Sequence, residues 1–192
     1  MPEKIVYSED VFTVLDLLSP DECAGYIEQS EAQGYDEAPI TTAFGPVLAP
    51  QIRNNQRVMI DAPAVADALW LRIAKFAPAK WEGWEVVGLN ERLRFYRYDV
   101  GQQFDWHHDG YFERPTGERS LFTLMIYLNG DFEGGETLFA PWESAAGWNG
   151  LSIKPQTGMA LCFQHLKLHK GESVRQGRKY VLRTDVMYRR RS

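Results

Sequence analysis

The sequence predicts an α+β protein with a jelly-roll type of β core and supporting helices near its N-terminus. Two observations lead there. Helical patterns with clear start and stop signals fall in the first half of the chain, and from Trp84 onward short period-two segments broken by glycine turns take over. Helices followed by a run of strands pack on one face of a folded β layer. Many short strands at this spacing indicate a sandwich or barrel. At 192 residues the chain can bury one sizeable core and is short for two ordinary domains, so 1–192 is expected to form one unit. In that unit 1–90 supply helical support and the first strands, and 91–190 the core.

The first helix opens with Ser19, Pro20, Asp21 and Glu22, a capping box with proline at the first helical position. Cys23, Tyr26 and Ile27 follow at helical spacing, and Gly34 ends the helix. The second runs from about Pro63 to Phe76, with Val65, Leu69, Ile73 and Phe76 on one stripe. Strands are expected over 84–89, 92–99, 119–129, 135–140, 150–154, 158–164 and 179–188. Their alternation separates two faces. Phe122, Leu124, Ile126 and Leu128 oppose Thr123, Met125 and Tyr127, while Tyr180, Leu182, Thr184, Val186 and Tyr188 oppose Lys179, Val181, Arg183 and Asp185. Arg94, Tyr96 and Tyr98 also share a face. Threonine, methionine and tyrosine make a poor solvent face, so these sides are expected to converge on a polar cavity inside the sandwich.

Composition narrows the function. A hydrophobic share of 44% and a charged share of 24% suit a globular protein. There is no apolar run long enough for a membrane span. The start MPEKIVYSED lacks a signal-peptide core, and two cysteines far apart suggest no disulfide framework, so a cytoplasmic setting is expected. A net charge of −5 argues against nucleic acid as the main partner. Arg189, Arg190 and Arg191 read as a solvated chain end.

All four histidines lie between residues 107 and 169. His107 and Asp109 are two apart, so on an extended segment both project to one side and can take adjacent positions on one metal. By itself a His-x-Asp pair is a weak signal. The third imidazole must be His165 or His169. Two histidines and one carboxylate leave open positions, as in non-haem Fe(II) oxygenases, whereas structural zinc takes four ligands and usually cysteines. No Glu follows His165 as a helical zinc-protease motif requires. His108 alternates away from the ligand side.

From Arg94 to Tyr188 the chain resembles the catalytic domain of Fe(II)- and 2-oxoglutarate-dependent dioxygenases, in their prolyl 4-hydroxylase-like branch. The matching stretches are YDVGQQFDWHHD (98–109), TLMIYLNGDFEGGETLF (123–139), PQTGMALCFQH (155–165) and HKGESVRQGRKYVLRTDVMY (169–188), in the family's order and spacing. The resemblance implies a double-stranded β-helix, that is, a jelly-roll core. It implies Fe(II), 2-oxoglutarate and O2, and leaves ascorbate open as an accessory. It makes His107, Asp109 and His169 the iron ligands, Lys179 the partner of the distal carboxylate of 2-oxoglutarate, and Tyr98 and Tyr127 its hydrogen-bonding tyrosines. Arg183 is either a second carboxylate contact or half of an internal pair with Asp185. Arg178 faces away and is expected in solvent, and His165 is expected to be a wall residue.

The implied reaction hydroxylates a C–H bond and releases succinate and CO2. A prolyl or other protein side chain is the first substrate, a free amino acid or small metabolite the second, and a nucleobase a distant third. A jelly-roll module that only binds metal or a carboxylate is the competing class. Arg53, Asn55, Arg57, Trp106 and the loop 141–149 with Trp142 and Trp148 line either a substrate groove or ordinary surface.

Overall fold

The computed structural model describes residues 1–142 and 149–190, so Trp148 and Arg191 lie outside the described residues, as does most of the 141–149 loop. Helix α1 spans Pro20–Gln33 and begins as its sequence requires. The Ser19 hydroxyl accepts the Glu22 amide at 3.2 Å, Glu22 accepts the Ser19 amide at 2.8 Å, and Gly34 ends the helix at a φ of 80°. Helix α2 spans Pro63–Ile73 and buries Ala66, Leu69 and Ile73. It stops one turn short of Phe76, and Phe76 and Ala77 close a turn onto the Ile73 carbonyl ahead of Pro78.

Antiparallel pairing builds a large sheet. Its order is Glu3–Ser8, Val11–Leu15, Ala160–Gln164, Arg119–Tyr127, Lys179–Arg190, Arg92–Tyr98, Gln56–Asp61 and Asp36–Glu37. The far half of Lys179–Arg190 also pairs with Trp84–Leu89. A second sheet runs Phe104–His107, His169–Gly171, Thr137–Trp142 and Asn149–Ile153. The alternation read from the sequence has a physical consequence on both sides. Phe122, Leu124, Ile126, Leu182, Val186 and Tyr188 pack with both helices in one core cluster. The opposite face supplies Tyr96, Tyr98, Tyr127 and Val181, which pack against Phe139 and Ile153 of the second sheet. The large sheet is therefore covered on both faces, as a sandwich with a helical backing requires.

The N-terminal region departs from the expectation of helices first. Glu3–Ser8 and Val11–Leu15 precede α1 and form one end of the large sheet, and Gln56–Asp61 pairs with Arg92–Tyr98 before α2 begins. The first of these segments is solvent-facing along nearly its whole length and carries Ile5, Val6 and Tyr7 in one run, so it shows no buried-strand alternation. Gly134 and Gly135, both at positive φ, lead into the strand Thr137–Trp142, which therefore starts two residues later than expected.

Candidate active site

His107 and His169 enter the site as direct cross-strand partners of the second sheet. Neighbouring residues of antiparallel strands bring their side chains close together. Asp109 lies just past the strand, where its amide bonds the His165 carbonyl at 3.0 Å. The result gathers one ligand atom each from His107, Asp109 and His169 within 4.8 Å of one another. His107 Nε2 lies 3.8 Å from Asp109 Oδ1, and His169 Nε2 lies 3.8 Å from Asp109 Oδ2.

Each imidazole is held in the same way. His107 Nδ1 lies 2.6 Å from the Asp105 carbonyl, and His169 Nδ1 lies 2.8 Å from the Lys167 carbonyl. A carbonyl can only accept, so both rings carry the proton on Nδ1 and present the Nε2 lone pair to the centre. Burial, with His169 adding to it, pushes the His107 pKa down to about 3, and burial lowers that of His169. Burial works to raise the pKa of Asp109, but Arg183, His169 and His107 outweigh it and keep the carboxyl ionised. Two neutral imidazoles and one carboxylate are the protonation states that a divalent metal needs. The rings are also walled in. Phe104 stacks on His107 at 3.5 Å between centroids, and Phe163 and Phe139 flank His169 at 4.5 and 5.8 Å.

Asp109 is clasped from two sides. Its Oδ1 meets Arg183 Nη1 at 2.9 Å, and its Oδ2 accepts the Thr123 hydroxyl at 2.6 Å. Arg183 also reaches Asp185 at 3.3 Å, and Asp185 in turn pairs with Arg94 at 3.0 Å. Both readings of Arg183 must therefore include its strongest contact, with Asp109. His165 is a satisfied wall residue, its ring between Ser120 at 2.9 Å and Thr123 at 3.0 Å. His108 is exposed and bonds the Leu166 carbonyl, and Arg178 lies half in solvent against Asp99.

Lys179 occupies the other end of the same cavity, which His107, Asp109, His169, Tyr98, Thr137 and Arg183 also line. It is 2% exposed, and its ammonium donates to the Gly135 carbonyl at 2.6 Å and faces the Tyr98 and Tyr127 rings at 5.1 and 5.4 Å. No carboxylate pairs with it among the described residues, and burial, weakly opposed by Glu136, lowers its pKa to about 7. A buried amine in that condition calls for an anion. Burial raises the Tyr98 phenol to about 12, so it stays a neutral donor. Tyr127 is fully buried and its hydroxyl meets the Thr137 hydroxyl at 2.7 Å. Thr137, which the sequence did not single out as a site residue, thus stands between Tyr127 and the cavity.

The profile of the 2OG-Fe(II) oxygenase superfamily matches residues 93–184, the stretch that holds every one of these groups. The chain carries the 2OG-Fe(II) oxygenase core. This oxygenase is 26% identical over 208 residues to probable prolyl 4-hydroxylase 8 of Arabidopsis thaliana, covering 93% of the chain and 68% of the relative. Its fold is that of the viral collagen prolyl hydroxylase of Paramecium Bursaria Chlorella virus-1, solved as a 2OG complex, with a TM-score of 0.66 and 23% identity over 94% of this chain and 97% of that one. The Trichoplax adhaerens prolyl hydroxylase, solved with a hypoxia inducible factor peptide fragment, superposes with a TM-score of 0.70 at 15% identity, over 93% and 84% of the two chains. The matched core is that of the 2OG-Fe(II) oxygenases, whose groups are Fe(II) and 2-oxoglutarate, and the relatives and structural neighbours are prolyl hydroxylases. Both groups fit the residues present, since three ligand atoms converge and a buried, carboxylate-free ammonium stands in the same cavity. Among the described residues, no helix is long and apolar enough to cross a membrane.

Proposed function

We propose that this 2-oxoglutarate-dependent dioxygenase hydroxylates a prolyl side chain of a peptide, with 1–192 acting as one catalytic unit. His107, Asp109 and His169 hold Fe(II). Lys179 binds the distal carboxylate of 2-oxoglutarate, and Tyr98 and the Tyr127–Thr137 pair supply hydroxyls to its oxygens. Bound Fe(II) and 2-oxoglutarate supply the chemistry that spends O2 to turn C–H into C–OH with release of succinate and CO2. The protein's own part is positional. Arg183 and Thr123 aim the Asp109 carboxylate, the Asp105 and Lys167 carbonyls aim the two rings, and the aromatic walls keep water from the centre.

The observation that carries this reading is the carboxylate-free Lys179 ammonium in the cavity that contains the triad. Both cysteines are buried and unpaired, in keeping with a cytoplasmic setting. The test is anaerobic addition of Fe(II) and then 2-oxoglutarate, read by the weak visible charge-transfer band of a chelated complex. Succinate and hydroxyproline are then measured over proline-containing peptides, free amino acids and methylated nucleotides in air. Coupled hydroxyproline formation is expected with peptides. A band without any succinate would favour a binding module, and product from free amino acids alone would replace the peptide reading.

A further inference from the structure

Arg53, Asn55 and Arg57 precede the core and have no part in the chemistry above. Arg53 and Arg57 border a groove that opens onto His107 and Asp109, and Arg94 and Arg183 line it as well. Arg53 is 6% exposed. Its Nε donates to Asn55 at 2.7 Å, yet its buried Nη2 has no hydrogen-bond partner. The guanidinium lies 4.7 Å from the Tyr96 ring and 4.3 Å from the Phe104 ring, and Phe104 is the ring stacked on His107. Arg57 is half-buried and sits directly across from Tyr96 in the strand register.

The charges in this groove do not balance. Asp109 and Asp185 pair with Arg183 and Arg94, and among the described residues no acid pairs with Arg53 or Arg57. Two guanidiniums are left over beside a reaction centre. A sign of the surplus is the Tyr96 phenol. Burial works to raise its pKa, but Arg183, Arg53 and Arg94 bring it below the ordinary value. Keeping a buried donor of a cation unmade is costly, and a guanidinium binds a planar oxyanion in fork geometry.

We infer that Arg53 and Arg57 form a carboxylate-binding subsite, so that the preferred substrate carries a carboxylate close to the carbon that is hydroxylated. On the prolyl reading above, on which this assignment rests for its peptide form, that group is an acidic side chain next to the target proline. The Tyr96 and Phe104 rings beside Arg53 then accept the proline, while the two guanidiniums choose its neighbour.

The experiment uses metal-free protein with saturating 2-oxoglutarate, so that Lys179 is already occupied. It is titrated calorimetrically with a pentapeptide containing Pro-Glu, its Pro-Gln counterpart, N-acetylglycine and inorganic phosphate. Pro-Glu is expected to bind roughly tenfold to a hundredfold tighter than Pro-Gln, the range of one charge-assisted contact. Arg57→Gln should erase most of that ratio, and Arg57→Lys should restore part of it. N-acetylglycine binding as tightly as the Pro-Glu peptide would support the carboxylate subsite and assign it to small acids. Equal affinity for Pro-Glu and Pro-Gln in the unaltered protein overturns the inference, and so does phosphate binding tighter than either carboxylate. The iron-loaded enzyme then separates the two readings. Strong Pro-Glu preference in binding with no hydroxyproline formed would retire the prolyl reading and leave the subsite standing.

Discussion

Arg183 Nη1 stands 2.9 Å from Asp109 Oδ1, so a guanidinium from a central strand holds the only carboxylate of the triad. Arg183 is largely buried and has a raised pKa: burial opposes the shift, but Asp109 and then Tyr96 and Asp185 outweigh it. Arg183→Met should cost about 3 kcal/mol or more in urea denaturation, because breaking a buried pair strands the remaining charge. The pH dependence should change sign as well. In the unaltered protein Asp109 titrates below the ordinary carboxylate range, so its stabilising contribution is complete above that range and is lost as pH falls through it. In the variant, burial, the largest influence on Asp109, is opposed only by the histidines and the Thr123 hydroxyl, so the carboxyl should rise and stability should fall relative to the parent as pH rises from about 4 towards 7. Parallel stability curves for the two proteins would remove Arg183 from this role.

Thr123 donates to Asp109 Oδ2 at 2.6 Å and is also 3.0 Å from His165 Nδ1. Thr123→Val keeps the shape and removes the hydroxyl. Fe(II) affinity should drop roughly tenfold to a hundredfold, the usual effect of losing an outer partner of a metal ligand. Thr123→Ser should recover most of it. Metal titration of the three proteins decides, and identical affinities would mean that Arg183 alone sets the carboxylate.

Lys179 has a pKa of about 7 because burial penalises its charge. Binding a carboxylate favours the ammonium, so 2-oxoglutarate binding should take up a proton above about pH 7 and weaken as pH rises. Calorimetry in two buffers of different ionisation heat measures that uptake directly. The folding consequence has a fixed sign. Between about pH 7 and pH 10 the unfolded chain carries a proton that the folded one lacks, so stability rises with pH there. Lys179→Met should flatten that slope and abolish the proton uptake, and an unchanged slope would place the titration elsewhere.

Lys179→Ala should raise the 2-oxoglutarate requirement roughly tenfold to a hundredfold, as expected on losing a charge-assisted contact. Steady-state succinate release against 2-oxoglutarate concentration measures it. An unaltered KM would move the distal carboxylate to Arg183.

Gly135 lies at a φ of 68°, and a Cβ there would come within 3.1 Å of the Lys179 side chain and 3.0 Å of the Phe132 ring. Gly135→Ala should therefore both destabilise the fold by about 1 kcal/mol or more and raise the 2-oxoglutarate KM. A stability loss with a normal KM would show that the turn matters to folding alone.

Much of the core was legible because its strands are long and alternate cleanly. The expected 84–89 segment is the strand Trp84–Leu89, and 92–99 and 119–129 differ from the observed strands only at their ends. His107 and Asp109 were legible as a pair because two residues of extended chain share a side. The strands that carry His107 and His169 were not, since Phe104–His107 and His169–Gly171 are four and three residues long, too short for any period to register. The Arg183–Asp109 contact was hidden for another reason. Sequence alternation put Arg183 and Asp185 on one face, but which carboxylate each cation meets depends on the pairing of strands far apart in the chain. That register sets Thr123 opposite Asp185 and Met125 opposite Arg183. Arg53 and Arg57 drew notice as charges, while their lack of acidic partners is a property of the folded groove alone.

His107 and His169 are Cα partners across two short antiparallel strands, and this makes metal affinity a gauge of alignment. A slip of one residue in either strand turns its histidine to the opposite face. A bound ion therefore acts as a pin between segments that lie 62 positions apart, stabilising the native alignment by its full binding free energy. Substitutions that loosen the second sheet far from the cavity should be felt first as loss of iron, before any loss of secondary structure.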